Sequence, residues 1–539
     1  MANIVGTNDS DYLVGTIYAD RIVPLLGHDR VDGGAGRDTL VVDYRVSSAS
    51  YDAYSYIYSI EGSLGGNIDS GDYLSSVGFD GVEHLQLKLG NGSSTVDIDG
   101  SALAHGATLD IDAGSGSDHL QANLSALEAI EFQVGSNGKA KVGSSTFANF
   151  ESFFLILGAG ADKVRLSAGD DIVLSGGGND NLDGGAGNDM LAGGDGDDVI
   201  GGGKGDDALY GEGGRNVLLG GDGDDGLESR GVDQVDGGAG NDLWQGIYWA
   251  ATENLTFSYD GSVGTVSNGT TVVNVENIVF EGGSGDDTVS ISGVVPNSDQ
   301  FISVGTQGGN DTLNLDLSNG VANTDYIFMY PEDGALSGNA ASVSFDGVEQ
   351  LTVTGDVGDT ANLSFFDFGT SIDIVVQPDG TLTSNVGITL SNYAAFDLQL
   401  DDGNDAASLG AASDRVNGMG GDDVIAGGGG GDDLSGGSGA DTFVYNAIED
   451  FGDEAVRIDG IWDFSSEEGD KIDLRNVTPG EFAFVEDQEF SGQGAAELRA
   501  VDAGDGYSFV SGDIDGNGSA DFYLVVLSTA PLTSADFMF

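Results

Sequence analysis

A nine-residue spacing of aspartates constrains the fold of this chain more than any other feature of its sequence. From Gly158 to Trp244 an aspartate recurs at every ninth residue, except that Asn216 takes one place and one residue is lost before the last two repeats. A glycine lies two residues before each of these positions and an apolar residue lies two after. The aspartates of this central array are Asp162, Asp171, Asp180, Asp189, Asp198, Asp207, Asp225, Asp233 and Asp242.

The glycine content of each repeat excludes helix and favours tight turns. Each glycine in a run such as Gly184–Asp189 would cost about 1 kcal/mol in a helix relative to alanine, whereas it fits turns with positive φ. The apolar residue after each aspartate can be buried only against other repeats. Each nonapeptide is therefore predicted to be a turn plus a short strand, with two nonapeptides in one flattened coil. Coils of this kind stack at about 4.8 Å, so the predicted fold is all-β, a parallel β-roll or β-solenoid.

This stacking predicts two columns of carboxylates. One begins Asp162, Asp180, Asp198 and the other begins Asp171, Asp189, Asp207. Carboxylates about 5 Å apart repel each other unless a cation lies between them. Carboxylates combined with turn carbonyls form an all-oxygen ligand set, which favours calcium over zinc or copper. We therefore predict several calcium ions, bound by the aspartates and by the turn glycines Gly178, Gly187, Gly196 and Gly205.

The repeats resemble the calcium-binding nonapeptide of the RTX family, G-G-x-G-x-D-x-U-x. Residues 184–192 and 193–201 match this pattern in full. The resemblance implies a parallel β-roll that holds calcium between successive turns on each side. A disordered Gly/Asp linker is the alternative, but linkers do not keep an apolar residue in register over eight repeats.

Two further arrays keep the same spacing. Residues 1–41 form a degenerate N-terminal roll with fewer glycines, and residues 403–445 form a second full roll. Their candidate calcium ligands are Asp11, Asp20, Asp29, Asp38, Asp405, Asp414, Asp423, Asp432 and Asp441.

Residues 42–157 and 245–402, on either side of the central roll (158–244), are predicted to be longer β modules of the same solenoid. Four copies of one pattern place a glutamate two residues before an apolar residue, and a fifth copy has Ala394 instead. These glutamates are Glu83, Glu151, Glu276 and Glu349, for which a structural role is favoured over calcium binding. Within the modules the candidate calcium ligands are Asp118, Asp287 and Asp311.

Residues 446–539 resemble the C-terminal part of the roll domain of serralysin metalloproteases. The resemblance rests on residues 439–445, 461–464, 469–474, 512–522 and 535–539. It implies a segment that caps the roll and carries an uncleaved signal for type I secretion. The N-terminus has neither a basic nor an apolar signal region, so we expect secretion without a signal peptide. Residues 513–518 also match the first half of an EF-hand loop, but Leu524 stands where its glutamate belongs, so a β-turn is favoured.

Composition excludes several classes of partner. Ninety acidic residues against 17 Lys plus Arg give a net charge of −73, which argues against nucleic acid. No apolar run is long enough to span a bilayer, so membrane insertion is not expected. There is no cysteine, so metal ions rather than disulfides are predicted to hold the fold together.

No catalytic motif accompanies the roll. None of the four histidines forms H-E-x-x-H, and there is no G-x-S-x-G, so we predict that the chain is not an enzyme. An enzyme acting on acidic polysaccharide would need a basic cleft. The basic residues are expected to be too thinly spread to form one.

Two functions remain, with an enzyme on the solenoid as the third. The first is a secreted structural protein, similar to RTX surface-layer proteins, that self-associates on calcium binding into a surface layer, filament or matrix. The second is a calcium-dependent adhesin that contacts a cell-surface glycan, such as lipopolysaccharide, through the Tyr-rich loops of residues 44–58. Both place the protein outside the cell or at its surface and use the type I secretion machinery.

Overall fold

Short parallel strands separated by glycine turns form most of this protein, because each repeat is too short for any longer element. The computed structural model describes residues 1–45, 53–60, 63–70, 75–293, 301–318, 324–332, 335–340, 343–355, 358–366, 368, 370–453, 457–528 and 530–539. The chain divides into two units, Met1–Tyr248 with Thr265–Ile278 and Trp249–Gly264 with Val279–Phe539.

The first unit contains one short helix, Ser101–Ala104, and otherwise strands. Its strands are Asn3–Val5, Tyr12–Val14, Arg21–Val23, His28–Asp32, Thr39–Asp43, Ala53–Ile60, Ser63–Asp69, Ser76–Val82, His84–Lys88, Ser94–Asp99, Thr108–Asp112, His119–Asn123, Glu131–Gln133, Lys139–Val142, Ser145–Ala148, Ser152–Ile156, Lys163–Arg165, Ile172–Leu174, Asn181–Ala186, Met190–Ala192, Val199–Lys204, Ala208–Tyr210, Val217–Asp222, Gly226–Ser229, Gln234–Ala239, Leu243–Ile247 and Thr271–Val273.

The strands of the central array pair in parallel with a shift of two nonapeptides. Leu182 lies beside Ile200 in one sheet, and Leu191 lies beside Leu209 in the other. Alternate repeats therefore belong to opposite sheets, and two repeats make one coil. This confirms the β-roll predicted from the spacing.

The core of the roll is the row of apolar residues that follow the aspartates by two. In the central array each of them is at most 3% exposed. They are Val164, Val173, Leu182, Leu191, Ile200, Leu209, Leu218, Leu227, Val235 and Trp244. Because each side chain is covered by its counterparts in the coils above and below, burial depends on stacking, as the sequence indicates.

The longer modules of this unit are coils with antiparallel excursions. Ala53–Ile60, Ser63–Asp69 and Ser76–Val82 pair antiparallel in succession. On either side of this excursion the parallel stacking continues, since Thr39 lies beside His84. The excursions therefore lengthen a coil without changing the order of the stack.

Two strands, Val263–Val266 and Asn277–Glu281, contain residues of both units. The other elements of the second unit include two short 3-10 helices, Ile448–Phe451 and Ser534–Asp536. Its strands are Thr256–Tyr259, Thr288–Ser292, Ile302–Gly305, Thr312–Asp316, Thr324–Glu332, Ala335–Ala340, Val343–Val348, Gln350–Thr354, Thr360–Phe365, Asp373–Val376, Leu382–Ser384, Ile388–Ser391, Ala395–Gln399, Ala406–Ser408, Arg415–Asn417, Val424–Ala426, Asp433–Ser435, Thr442–Val444, Gly452–Asp453, Arg457–Ile458, Gly460–Phe464, Lys471–Asp473, Ala483–Phe484, Glu497–Gly504, Tyr507–Asp513, Phe522–Ser528 and Phe537–Met538.

The second unit repeats the same stacking and ends in an antiparallel sheet. Val416 lies beside Leu434 in the second array, again two repeats apart. Glu497–Gly504, Tyr507–Asp513 and Phe522–Ser528 then form the antiparallel sheet, and Gly460 of the stack pairs with Val525 within it. The non-repetitive C-terminal residues are thus joined directly to the last coils by strand pairing.

Candidate metal centres

Each aspartate column is held together by a side-chain ladder. The backbone N–H of one aspartate donates to Oδ1 of the aspartate one coil later. In the central array Asp162 donates to Asp180 at 2.7 Å and Asp180 donates to Asp198 at 2.7 Å. The second column runs in the same way through Asp171, Asp189, Asp207, Asp225 and Asp242, at 2.8–2.9 Å. The structure therefore brings together the two columns that the sequence predicts.

The second oxygen of most of these carboxylates is buried and has no hydrogen-bond partner. The Oδ2 atoms in this state belong to Asp29, Asp38, Asp118, Asp162, Asp171, Asp180, Asp189, Asp198, Asp207, Asp225, Asp233, Asp242, Asp311, Asp405, Asp414, Asp423, Asp432 and Asp441. A buried carboxylate oxygen without a donor is strongly unfavourable in a folded protein. A hard cation that prefers oxygen ligands removes this penalty, so the arrangement fits calcium.

The first glycine of the repeat makes room for this oxygen. A Cβ atom on Gly184 would lie 2.2 Å from Oδ2 of Asp189, five residues later. The same holds for Gly193 and Asp198 at 2.3 Å, and for Gly202 and Asp207 at 2.2 Å. Any side chain at the first glycine would fill the space that the Oδ2 atom of the aspartate in the same repeat occupies.

The glycines predicted as carbonyl ligands lie where neighbouring coils approach each other closely. Gly178, Gly187, Gly196 and Gly205 all have φ between 108° and 142°. A Cβ atom on Gly187 would lie 2.2 Å from the carbonyl oxygen of Gly169, one coil earlier. Turn carbonyls and aspartate oxygens therefore occupy the same edge of the roll. Both are the kind of oxygen ligand that calcium accepts.

Burial raises the pKa of the column carboxylates because it disfavours their charged form. It raises the pKa of Asp171 to about 8 and that of Asp189 to about 6. In the second array burial raises the pKa of Asp432 to about 8 and that of Asp423 to about 7. Neighbouring carboxylates contribute to these raised pKa values, so the ionised column needs a compensating positive charge.

Three predicted ligands differ from the rest, since their Oδ2 atoms accept hydrogen bonds. Oδ2 of Asp20 accepts from the backbone N–H and hydroxyl of Thr16, each at 2.6 Å. Thr7 makes the same two contacts with Asp11. Oδ2 of Asp287 accepts from the N–H of Gly283 at 3.1 Å. These three aspartates fit a cation less well, and two of them, Asp11 and Asp20, lie in the degenerate N-terminal repeats.

The module glutamates continue the columns wherever a coil is longer than two repeats. The N–H of Asp38 donates to Oε2 of Glu83 at 2.7 Å, and the N–H of Asp118 donates to Oε2 of Glu151 at 2.7 Å. Glu276 and Glu349 accept in the same way from Asp242 and Asp311, at 3.0 and 2.6 Å. The glutamates thus occupy the place of a column aspartate in these coils, and the structural role favoured by the sequence stays a prediction. The sequence signal for these positions is the apolar residue two after each glutamate, because the column aspartates are followed by an apolar residue at the same distance.

Two column residues beyond the second array were missed. The N–H of Asp432 donates to Asp459 at 2.9 Å, and that of Asp441 donates to Asp470 at 3.0 Å. Burial raises the pKa of Asp459 to about 7. Ile461 follows Asp459 by two residues, so the signature persists although Asp459 lies 27 residues after its column partner instead of the usual 18.

A second, outer ladder was also missed. In the central array, most of the column residues are preceded by an exposed Asp or Asn, and the Oδ1 of this residue accepts the backbone N–H of the residue at the same place one coil later. Asn188 donates to Asp170 at 2.8 Å, and Asp206 donates to Asn188 at 3.0 Å. The direction is opposite to that of the inner ladder, so each turn is bonded to both neighbouring coils.

The loop that resembles half of an EF-hand brings three carboxylates together. Oxygens of Asp513, Asp515 and Asp521 lie within 4.8 Å of one another. Both oxygens of Asp513 accept turn amides, at 3.0 Å from Asn517 and 2.7 Å from Gly518. The carboxylates therefore stabilise the turn itself, as the β-turn interpretation implies.

Two protein-family models match this chain. The RTX calcium-binding nonapeptide repeat matches four times, at residues 5–40, 156–191, 192–227 and 229–243. The family described as Peptidase M10 serralysin C terminal matches residues 253–539, which is more than half of the chain. The chain belongs to this family. Its match extends far upstream of the last hundred residues, where the resemblance was recognised, and includes the second array.

These matches establish a secreted, calcium-binding RTX protein of the type I export route. Four copies of the repeat imply several calcium ions. The matched serralysin region is a non-catalytic one. A comparison with curated proteins gave no match. Within the described ranges, no helix has the length and apolar character needed to cross a membrane.

Proposed function

We propose that this protein is a secreted structural protein that folds when calcium fills its aspartate columns and then self-associates into a surface layer, filament or matrix. The observation that supports calcium-driven folding is the row of buried Oδ2 atoms without donors in the arrays. The aspartates of the three arrays other than Asp11 and Asp20, together with Asp118 and Asp311, are the proposed ligands. Bound calcium supplies the positive charge that these ionised columns need.

Folding and calcium binding are coupled in this proposal. With a net charge of −73, the chain repels itself, and without cations it gains little by stacking carboxylates. An ion that binds the folded roll and not the open chain stabilises the fold by mass action. The chain is therefore open in low calcium during export and folds in the calcium-rich space outside the cell.

The first coil supports self-association. Among the described residues, the strand Asn3–Val5 pairs only with Arg21–Val23. The strand Tyr12–Val14 likewise pairs only with His28–Asp32. Val5, Tyr12 and Val14 are 51%, 62% and 48% exposed. An open strand edge with exposed apolar side chains is a template for adding a strand from another chain. We propose that a second copy docks against this edge.

The test is assembly of the full-length protein on addition of calcium. Negative-stain microscopy and sedimentation velocity should show sheets or filaments with calcium and monomers in chelator, while circular dichroism follows folding. Tyr12→Lys/Val14→Lys should fold with calcium and yet fail to assemble. The matched control is Ile172→Lys/Leu174→Lys, which changes two exposed residues of a strand that is paired on both sides. Monomeric wild-type protein in saturating calcium would refute the structural function, and assembly by Tyr12→Lys/Val14→Lys would refute the docking edge.

A calcium-dependent adhesin is the second candidate. Tyr54 and Tyr56 are 56% and 42% exposed on the strand Ala53–Ile60, and exposed aromatic side chains suit sugar or protein contacts. The Tyr-rich segment is not uniform, because Tyr44 is buried and Tyr51 lies outside the described residues. Discrete monomers with saturable glycan binding that is lost in Tyr54→Ala/Tyr56→Ala would favour this function over assembly.

A further inference from the structure

The positive charge of this acidic chain is concentrated in one part of the sequence. Four of its six lysines lie between residues 139 and 204, together with Arg165. By contrast, residues 231–414 contain neither lysine nor arginine. Basic side chains are therefore concentrated in the region that precedes and begins the central roll.

The fold brings these residues together around one cleft of the first unit. Lys139–Val142 and Ser145–Ala148 form an antiparallel hairpin. Glu131–Gln133, Lys163–Arg165, Asn181–Ala186 and Val199–Lys204 are successive rungs of one parallel sheet. Residues of the hairpin and of all four rungs line a cleft of about 1530 Å³.

Four cationic side chains face two carboxylates in this cleft. Lys139, Lys141, Arg165 and Lys204 line it, and so do Glu131 and Asp183. Arg165 pairs with Asp183 at 3.4 Å, and Lys204 pairs with Asp222 on its flank at 3.1 Å. Lys139 and Lys141 are exposed and make no ion pair with any residue that the structure describes. The lining is therefore net positive in a chain whose overall charge is −73.

We infer that this cleft binds an extended acidic polysaccharide, with its carboxylate groups on Lys139 and Lys141. A cleft of about 1530 Å³ lined by a hairpin and four successive rungs suits a linear polymer better than a compact ion. The side chains of Gln133 and Asn137 offer hydrogen bonds to sugar hydroxyls. No aromatic side chain is among the lining residues, so neither stacking on a neutral sugar nor stacking of nucleic-acid bases is provided. Charge and hydrogen bonds are what the cleft presents.

The cleft corrects one expectation from the sequence. The basic residues were expected to be too thinly spread to offer a binding surface. The hairpin folds Lys139 and Lys141 back towards rungs that carry Arg165 and Lys204. Residues that are distant along the chain thereby share one surface.

The test uses full-length protein in saturating calcium and a fluorescent hyaluronan decasaccharide, whose binding is followed by anisotropy. A dextran oligosaccharide of the same length is the neutral probe. We expect saturable binding of hyaluronan and none of dextran. Lys139→Gln/Lys141→Gln should weaken hyaluronan binding about tenfold, since two exposed charge contacts are lost. The matched control, Arg215→Gln/Lys471→Gln, removes two positive charges elsewhere and should bind as the wild type does.

Several results would overturn the inference. Equal loss in the two double variants would mean that net charge, not the cleft, attracts the probe. Tighter binding of an oligodeoxythymidylate with the same number of charges would assign the cleft to nucleic acid. Unchanged hyaluronan binding with altered sedimentation of Lys139→Gln/Lys141→Gln would assign it to a second copy of this chain. Failure of calcium-driven assembly in the wild type would leave the binding measurement interpretable, because the two readouts are independent.

Discussion

Oδ1 of Asp189 accepts the backbone N–H of Asp171, 2.9 Å away in the preceding coil, while its Oδ2 is buried without a donor. One carboxylate thus joins two coils and presents an oxygen to a cation. The hydrogen bond fixes where that second oxygen lies, and the glycine five residues earlier leaves room for it. Stacking and calcium binding are consequently properties of the same side chain.

Replacing Asp189 should affect calcium-dependent folding more than replacing a module glutamate. Asp189→Ala removes both the bond to Asp171 and the unpartnered oxygen, whereas Glu83→Ala removes a bond to Asp38 and no proposed ligand. We expect the calcium midpoint of folding, followed by circular dichroism, to rise several-fold more in Asp189→Ala. Asp198→Ala should behave like Asp189→Ala. Equal midpoints for Asp189→Ala and Glu83→Ala would show that the aspartates are structural only.

The first glycine of a repeat should tolerate no side chain. In Gly184→Ala the new Cβ would lie 2.2 Å from Oδ2 of Asp189, so the carboxylate must leave its position. Gly201→Ala is the matched control, since its Cβ would meet nothing closer than 3.9 Å. We expect Gly184→Ala to lose about 1–3 kcal/mol of unfolding free energy in calcium, measured by urea denaturation. Similar losses in the two variants would contradict the proposed use of this space.

Asn216 offers a test by gain of charge. Its Oδ1 accepts the N–H of Asp198 at 2.9 Å, and its Nδ2 donates to the carbonyl of Gly211 at 3.0 Å. Asn216→Asp replaces that donor by an oxygen facing a carbonyl, which is repulsive without a cation. We expect the variant to unfold more readily in chelator and to gain more stability from calcium than the wild type. Thermal melts with and without calcium would measure both effects, and an unchanged calcium increment would count against a site at this position.

The metal-free roll should be more stable in acid than at neutral pH. Burial raises the pKa of Asp171 from 3.8 to about 8 and that of Asp432 to about 8, so the fold prefers their protonated forms. Their contribution to stability is fully present below about pH 4 and is lost as the pH rises through the folded pKa. In chelator, strand content by circular dichroism should therefore fall between about pH 4 and pH 8. Saturating calcium should abolish the fall, and Asp171→Asn should reduce it. A flat profile in chelator would contradict the burial of these groups.

The repeat spacing was sufficient to predict the coils and their core. The positions of Leu182 beside Ile200 and of Leu191 beside Leu209 follow from two nine-residue repeats per coil, because each apolar residue has no other place to be buried. The same argument placed Asp171 and Asp189 in one column. Periodicity specifies register wherever every coil has the same length.

The features that the sequence did not predict arise where a coil is longer than two nonapeptides or where a hairpin folds back against the stack. Asp459 and Asp470 continue the columns 27 and 29 residues after their partners, whereas two nine-residue repeats per coil predict 18. The outer ladder of Asp170 and Asn188 was not predicted, since its bonds exist only between stacked turns. The basic cleft depends on a hairpin that places Lys141 on the same cleft as Lys204, and no local sequence pattern indicates that placement.

The glutamates at the coil junctions make the scaffold tolerant of insertion. Because Glu83 and Glu151 each close a column over a much longer stretch of chain, a segment inserted between each glutamate and its column partner, Asp38 or Asp118, need not break the column. These junctions are therefore suitable points for grafting foreign peptides.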